Sequence, residues 1–578
     1  MLPIDPIGFA AGDYVELALA LILAVLAIAG RGWLAAWGVR FAERTLWCML
    51  ALGALPIVLR LALLGSHPPP LPDIYDEFSH LFVADTLRHW RLANPPHAMA
   101  RFFETLFILQ QPTYSSIYPI GQGLMLAIGR ALFGTQWAGV LLSTGAFCGL
   151  CYWMLRGWTT PGWALLGGLL AVFEFGPLTQ WTNSYWGGGL AAAAGCLVFG
   201  ALPRLRERGR VRDGVLLGLG LGIHLLTRPY ETAFLAASAV LFLAPGIEMK
   251  RLLRPLAVAV LLTLPALGVT LLQNKRVTGE WTKLPYALSQ EQYGVPASLT
   301  FQAHPVPHRE LTREQELDYR MQRGFRSREF DTAGTYFGRL LFRVRYYRFY
   351  FYAPLYVALF VWLITIRDWR RAWVAVTVVL FALGVNFFPA FQFHYLAAVG
   401  CLFVLMSVEG LQRLSDWPGG GAAARALVYL CVAQFCFFYG AHLFETPAWA
   451  AELRALDVWD GIDRAGQTKR AEVSNLIAKE PGKLLILVRY WPQHIFQEEW
   501  VWNEADIDAS RIVWARDRGD EDDQKLLRYY PDRRVLLLEP DARPPKLGPY
   551  VPEPKPEPAR IEKPKEQTKP KLELEQVR

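Results

Sequence analysis

The sequence has 578 residues, of which 53% are hydrophobic, 13% aromatic and only 19% charged, and its formal net charge is +8. So few charges at this length exclude an ordinary soluble protein. Because many arginines stand in short loops between apolar runs, the positive charge reflects membrane topology and not nucleic-acid binding. The apolar runs are about 17 to 23 residues long, enough to cross a bilayer as helix. The chain is therefore predicted to be a polytopic α-helical membrane protein.

The first two apolar runs set the predicted orientation. Residues 14–29 are followed by Arg31, Arg40 and Arg44, whereas the residues before them carry only acidic charges. The positive-inside rule therefore places residues 31–44 in the cytoplasm and the N-terminus outside. The next run, residues 45–64, then crosses outward. It delivers a first outer loop, residues 66–134, to the opposite face.

Residues 119–134 decide the topology of everything that follows. They are apolar enough to cross, but the very basic stretch 204–212 would then fall outside. Since basic loops favour the cytoplasm, we predict that residues 120–133 form an amphipathic helix lying on the membrane surface. Residues 274–346 then form a second outer loop. The remaining spans are predicted at 136–155, 161–175, 186–202, 214–227, 230–244, 255–272, 350–366, 372–388, 391–411 and 425–444. The total is about twelve transmembrane helices within residues 1–445.

The C-terminal part of the chain changes character. Short apolar runs at 483–489, 511–515 and 535–539 have the length and composition of buried strands. Helical patterns at 469–479 and 520–530 accompany them. Alternating helices and strands predict a small α/β domain with a mostly parallel sheet, residues 446–550, outside the membrane. Residues 551–578 are rich in Pro, Lys and Glu and are predicted to be disordered.

An acidic pair in the first outer loop is the leading candidate for catalysis. Asp76 and Glu77 follow the second span closely. Adjacent carboxylates can divide their work, one as general base and the other as its orienting partner. The alternative is that both are solvated acids or cap a helix that begins at Phe78. The apolar stripe of that helix, which includes Leu81, would hold the acids at the membrane surface and favours the catalytic interpretation.

Two basic residues at other outer turns are candidates for binding an anionic phosphate group. The Arg228 guanidinium suits phosphate because its fork can donate two parallel hydrogen bonds. The alternative is an ion pair with Glu231, three residues later, which is itself a candidate for the substrate cavity. His394 could bind phosphate or act as a second acid or base; a satisfied histidine at a helix interface is the alternative.

Three further side chains are predicted to line the substrate cavity. Tyr185 and Trp186 could stack on a sugar, although an aromatic belt at the membrane surface explains them as well. His80 could bind a metal ion together with Asp76, but no further metal-ligand spacing accompanies the two. No cofactor is therefore predicted, and a divalent cation is left as an alternative.

Two short stretches resemble known glycosyltransferases. Residues 76–81 (Asp-Glu-Phe-Ser-His-Leu) follow an outward span. They resemble the Asp-Glu-x-x-His/Tyr segment in the first outer loop of protein O-mannosyltransferases and related GT-C glycosyltransferases. Residues 117–124 (Ile-Tyr-Pro-Ile-Gly-Gln-Gly-Leu) are similar to the Tyr-Pro-Pro-x-x-x-Leu stretch that opens a juxtamembrane helix in the same loop of bacterial members.

This resemblance implies an inverting GT-C-type glycosyltransferase in the cytoplasmic (inner) membrane of a bacterium. Such an enzyme moves a sugar from a polyprenyl-phosphate donor to an acceptor glycan, lipid or protein on the outer face. Carried over to this chain, Asp76 is the implied base and Glu77 its partner. The resemblance specifies neither the sugar nor the acceptor.

Two other functions are compatible with the sequence. One is a transporter or flippase of polyprenyl-linked substrates, which would need polar residues at mid-membrane and broken helices in corresponding halves. The other is a non-catalytic protein of envelope assembly that uses its outer domain to bind partners. The polar residues of this chain gather on the outer side, and this one-sided arrangement favours the enzyme.

Overall fold

In a computed structural model, the residues described are 18–19, 21–23, 25, 33–245, 249–326, 329–444, 461–462 and 465–550. Most of the predicted first span, residues 446–460 and the predicted tail 551–578 lie outside them. The chain is mostly helical, as predicted. The membrane-domain helices are α1 (Trp33–Ala42), α2 (Thr45–Ala62), α3 (Tyr75–Arg88), α4 (Ile120–Phe133), α5 (Trp137–Leu155), α6 (Pro161–Phe175), α7 (Gly189–Arg208), α8 (Val211–Thr227), α9 (Pro229–Leu243), α10 (Met249–Thr278), α11 (Pro285–Tyr293), α12 (Arg313–Gly324), α13 (Ala333–Val344), α14 (Leu355–Ile364), α15 (Trp369–Val385), α16 (Gly400–Ser415) and α17 (Gly420–Leu443).

Each span predicted after residue 44 coincides with one of these helices, because a long apolar block can bury its backbone polar groups in lipid only as helix. By length and composition, six described helices could cross a membrane, or seven if residues 333–350 and 355–364 form one broken span. The predicted total of twelve spans is therefore not confirmed. Helices such as α6 and α9, with 15 residues each, are shorter than the predicted crossing requires.

Basic residues from three predicted cytoplasmic loops meet at one end of the helix bundle. Arg206, in the last turn of α7, donates to the carbonyl oxygen of Phe242 at 2.9 Å. Arg251 near the start of α10 donates to the carbonyl oxygen of Glu207 at 2.5 Å, and Arg370 near the start of α15 lies 3.3 Å from the Glu207 carboxylate. The positive-inside rule assigns all of these helix ends to one side, and in the fold they are neighbours.

Helix α4, the predicted surface helix, has 14 residues and is thus about 21 Å long, shorter than the apolar core of a bilayer. It packs tightly against α3. At Gly123 an added Cβ would run into the side chain of Val83 and lie 3.1 Å from the backbone nitrogen of Ala84. The two helices can approach this closely only because position 123 has no side chain.

The substitution Gly123→Val should therefore push α4 away from α3 and destabilise the protein by about 1–3 kcal/mol. The thermal unfolding midpoint of the purified protein in detergent measures the effect. Gly268→Val is the matched control, because a Cβ at position 268 of α10 meets no atom within 4 Å. Equal midpoints for the two variants would contradict the proposed packing constraint.

The C-terminal domain contains a four-stranded sheet. Its strands are β3 (Leu484–Val488), β4 (Ile512–Arg516), β5 (Arg534–Glu539) and β6 (Lys546–Pro549), after the two short strands β1 (Ile108–Leu109) and β2 (Ser115–Ser116) of the first outer loop. The order is β4-β3-β5-β6, with β3 parallel to both neighbours and β6 antiparallel to β5. Helices α18 (Ala465–Ala478) and α19 (Asp520–Tyr529) match the two predicted helical patterns.

This domain packs directly on the first outer loop. Phe82 of α3 belongs to the same buried apolar cluster as Leu485 and Leu487 of β3. The indole nitrogen of Trp502 donates to the carbonyl oxygen of Phe78 at 3.1 Å. Helix α3 is thus held between α4 on one side and the C-terminal domain on the other.

A buried charge network strengthens the same interface. Arg516, at the end of β4, donates to the carbonyl oxygen of Glu104 at 2.5 Å and forms an ion pair with the Glu314 carboxylate. The Glu499 carboxylate lies 3.8 Å from the same guanidinium. Since Glu104 belongs to the first outer loop and Glu314 to the second, one arginine joins both loops to the C-terminal domain.

Candidate active site

The two candidate carboxylates stand in the first turn of α3. The helix predicted to begin at Phe78 begins at Tyr75 instead, so that Asp76 and Glu77 are helical residues. Negative side chains are favoured there because the first turn of a helix presents unpaired backbone N–H groups. Both side chains are buried, and they point to different partners.

Glu77 binds backbone amides. One carboxylate oxygen accepts from the amide of Asp73 at 3.0 Å, and the other accepts from the amide of Tyr185 at 3.0 Å. Glu77 therefore ties the start of α3 to the turn before α7. These contacts give it a positioning role, and its predicted part in catalysis stays a prediction.

Asp76 faces the aromatic end of the first outer loop. The Tyr118 hydroxyl donates a hydrogen bond to its carboxylate. Burial raises the pKa of Asp76 to about 7; the Tyr118 hydrogen bond opposes this rise, and the nearby negative charges of Asp318 and Glu77 add to it. A carboxylate that titrates near neutral pH has the proton affinity expected of a general base.

His80 lies four residues after Asp76, on the same face of α3. Its ring stacks on Tyr118 at a centroid distance of 4.2 Å, and neither ring nitrogen has a hydrogen-bond partner among the described residues. Burial, together with the nearby charge of Arg228, lowers the pKa of His80 to about 3, so the ring is neutral at physiological pH. A neutral, buried imidazole without partners can donate one hydrogen bond to a substrate and accept another.

Arg228 stands between α8 and α9. Its guanidinium carbon lies 5.1 Å from the centre of the Tyr395 ring. The nearest atom of the Glu231 carboxylate is 3.8 Å away, which is too long for a hydrogen bond. The predicted ion pair is therefore present only as a loose contact, and it does not saturate the donors of the guanidinium.

His394 and Trp186 complete the arrangement. The His394 ring lies 5.2 Å from Trp186 and 5.0 Å from Tyr395, in a 3₁₀ segment (Phe393–Val399) before α16. Its Nδ1 atom has no hydrogen-bond partner among the described residues. His394 and Tyr395 thus link Trp186 to Arg228 through a series of neighbouring side chains.

The two aromatic residues predicted to line the cavity differ in their surroundings. Tyr185 packs with Phe78 and Leu81 of α3, and its hydroxyl donates to the carbonyl oxygen of Pro70 at 2.9 Å. Only Trp186 of the pair lies beside His394. Gly188, two residues later, has a φ of +127°, and an added Cβ would lie 2.5 Å from the Trp181 ring.

Sequence reasoning missed two residues that contact the Asp76 environment. Tyr118 was quoted within the Tyr-Pro motif, but nothing in the motif showed that its hydroxyl reaches Asp76. Asp318 of α12 is fully buried, and the hydroxyl of Tyr75 donates to it at 3.5 Å. Burial raises the pKa of Asp318 to about 7. In the sequence it stands among charged residues and looks like part of a solvated helix.

A divalent cation, the alternative that the sequence left open, would need several ligand side chains close together. Among residues that the structure describes, no group of three or more His, Cys, Asp or Glu side chains is arranged to hold a metal ion. Asp76 and His80 are close in the chain, and their shared neighbour is a tyrosine.

Comparison with solved structures finds similarity to ArnT from Cupriavidus metallidurans in the apo state, with a TM-score of 0.49 and 12% identity over 86% of this chain and 93% of that one. The same protein bound to undecaprenyl phosphate gives a TM-score of 0.48 and 12% identity, over 84% and 92% of the two chains. The apo oligosaccharyltransferase of Archaeoglobus fulgidus gives 0.37 and 12%, over 77% and 62%. No family model and no curated protein matches the sequence.

Proposed function

We propose that this protein is a membrane glycosyltransferase that moves a sugar from a polyprenyl-phosphate donor to an acceptor hydroxyl on the outer face of the membrane. The observation that carries the proposal is Asp76, a buried carboxylate whose pKa is raised to about 7. It lies on the same helix face as His80, whose ring nitrogens have no hydrogen-bond partner among the described residues, and the charge of Arg228, which makes only a loose contact with Glu231, acts on that ring. Chemistry on a hydroxyl nucleophile at neutral pH requires a base of this strength.

The proposed reaction is a single displacement. Asp76 accepts the proton of the acceptor hydroxyl while that oxygen forms a bond to the anomeric carbon of the sugar. The bond between the anomeric carbon and the phosphate oxygen breaks, and the polyprenyl phosphate leaves with its electron pair. Attack from the face opposite the leaving group inverts the configuration at the anomeric carbon.

Arg228 is the proposed electrostatic partner of the leaving phosphate. Its guanidinium is partly exposed and lies against the Tyr395 ring, which restricts its orientation. Positive charge placed where negative charge develops stabilises a transition state without protonating the leaving group. His394, close to Tyr395, can donate a hydrogen bond to the same phosphate, and Trp186 offers an aromatic face to the sugar.

The test is donor consumption by the purified protein in liposomes, with radiolabelled polyprenyl-phosphate sugars and cell-envelope extract as the source of acceptor. We expect the label to move from the lipid phosphate to an acceptor. A flippase would leave the sugar–phosphate bond intact and move labelled donor between leaflets. Intact donor after incubation with every sugar tested would overturn the proposal.

The Asp76 environment makes a prediction for the pH dependence of transfer. Because the base must be ionised, kcat/KM should rise with pH and level off above about pH 7. In Tyr118→Phe the hydrogen bond that stabilises the ionised form is lost, so the profile should shift to higher pH. In Asp318→Asn a nearby negative charge is lost, so the profile should shift to lower pH. Shifts of the same sign in both variants would contradict the assignment of Asp76 as the titrating group.

Arg228 makes a second prediction. Arg228→Gln should lower kcat/KM for the polyprenyl-phosphate donor by at least about tenfold, since charge-assisted hydrogen bonds contribute about 1.5–3 kcal/mol. The decrease in kcat/KM for the acceptor should be smaller. Arg320→Gln is the control, because Arg320 is an exposed arginine of the second outer loop with a salt bridge only to Glu316. Equal losses in the two variants would indicate a general charge effect.

A further inference from the structure

Helix α13 (Ala333–Val344) presents an apolar face that the rest of the chain leaves uncovered. Phe337, Leu341 and Val344 follow one another at helical spacing and are exposed, as is Phe342 beside them. Leu341 is 74% exposed. Exposed aromatic and aliphatic side chains on one stripe are unusual for a helix that faces water.

The opposite face of α13 carries two arginines that bind backbone carbonyl groups. Arg343, only 3% exposed, donates to the carbonyl oxygens of Phe388 at 2.7 Å, Pro389 at 2.7 Å and Ala390 at 3.0 Å. Arg339 donates to the carbonyl oxygen of Asn386 at 2.9 Å. The last carbonyl groups of a helix have no partner within it, and these arginines supply partners at and just beyond the end of α15.

These contacts determine which end of the helix bundle α13 lies against. Helix α15 begins at the basic end of the bundle, near Arg370, and its other end is therefore the outer end. The direction of the chain changes by 118° between segment 333–350 and α14. The two segments are therefore closer to perpendicular than to collinear. Helix α13 thus runs across the outer ends of the spans.

We propose that α13 lies in the outer leaflet of the membrane, with its apolar face against lipid chains. Helices α15 and α14, which come next in the chain, also expose apolar side chains, among them Val379 and Phe360. Phe301, also exposed, joins them through contact with Phe387 at 5.3 Å. A helix with an apolar face on the outside and arginines on the side that faces the protein has the amphipathic pattern of an in-plane membrane anchor.

Helix α12 (Arg313–Gly324), in the same outer loop, differs from α13 because its exposed residues are charged. It exposes Arg320 and Glu316, which form a salt bridge of 2.6 Å. The second outer loop therefore has a water-facing helix and a lipid-facing helix. The proposal concerns the membrane surface alone and does not depend on the reaction that the protein catalyses.

The test places one spin label at a time on the full-length protein in lipid nanodiscs. Cys436 is replaced by Ser first, because it is exposed whereas the other described cysteines are buried. Labels are attached at Leu341→Cys, at Arg320→Cys as the water control and at Phe360→Cys as the lipid control. Collision rates with oxygen, which concentrates in lipid, and with a water-soluble nickel chelate are then compared.

We expect the oxygen-to-nickel ratio at position 341 to resemble that at position 360 and to exceed that at position 320 several-fold. A ratio like that of position 320 would place α13 in water and overturn the proposal. Low collision rates with both reagents, together with dipolar broadening between labelled copies, would show that a second copy of the chain covers this face and would overturn it equally. The label requires no substrate, so the result does not depend on the proposed glycosyl transfer.

Discussion

Asp76→Asn should reduce the rate of sugar transfer by about 10²–10⁴-fold, the usual contribution of a positioned general base. The amide has the shape of the carboxylate and can still accept the hydrogen bond from Tyr118, so α3 should keep its place. What it loses is the ability to accept the proton of the acceptor hydroxyl. The fall should appear in kcat measured with saturating donor.

Glu77→Gln is the matched comparison, because it makes the same chemical change one residue along the chain. Its side-chain oxygens bind the amides of Asp73 and Tyr185, and a glutamine can replace one of those acceptors. We expect a smaller loss of activity together with a lower thermal unfolding midpoint. Wild-type turnover by Asp76→Asn would remove the proposed base, and an equal loss without destabilisation in Glu77→Gln would reverse the roles of the two acids.

Arg516→Gln should destabilise the protein by about 3–5 kcal/mol, because it leaves buried carboxylates without their counter-charge. The guanidinium is nearly inaccessible to solvent and contacts Glu314, Glu499 and the backbone of Glu104. Its removal should loosen the C-terminal domain from both outer loops. Differential scanning fluorimetry of the detergent-solubilised protein measures the loss.

The control for this prediction is Arg534→Gln. Arg534 also forms an ion pair, with Glu480, but its side chain is 53% exposed. Exposed pairs contribute about 0–1 kcal/mol, so this variant should unfold near the wild-type temperature. If the two variants lost the same stability, the network around Arg516 would not hold the domain in place.

The elements of this fold were predictable where a continuous physical requirement acts on consecutive residues. Apolar blocks must be helical in lipid, and the apolar runs near residues 485, 513 and 537 must be strands to share one small core. The residues at which each helix begins and ends were harder to predict. The span predicted at 186–202 begins as helix at Gly189, and the basic stretch assigned to a loop continues the helix to Arg208.

The candidate site was predictable in part. Arg228, His394 and Trp186 were placed at outer turns by counting crossings, and the fold brings His394 close to Trp186. What the sequence could not show is which acid accepts a hydrogen bond from Tyr118 and which binds backbone amides. Asp76 and Glu77 are adjacent and chemically alike, and only contacts to residues 42 and 108 positions away separate their roles.

The enclosure of α3 between α4 and the C-terminal domain has a consequence for how the protein is made. Ribosomes deliver the chain from its N-terminus, and early parts fold before late ones exist. Asp76 is made early in synthesis, but Trp502 and Leu485, which cover its helix, are made more than 400 residues later. An incompletely synthesised chain in the membrane therefore lacks part of the candidate site, and we expect that site to be completed in one of the last steps of biogenesis.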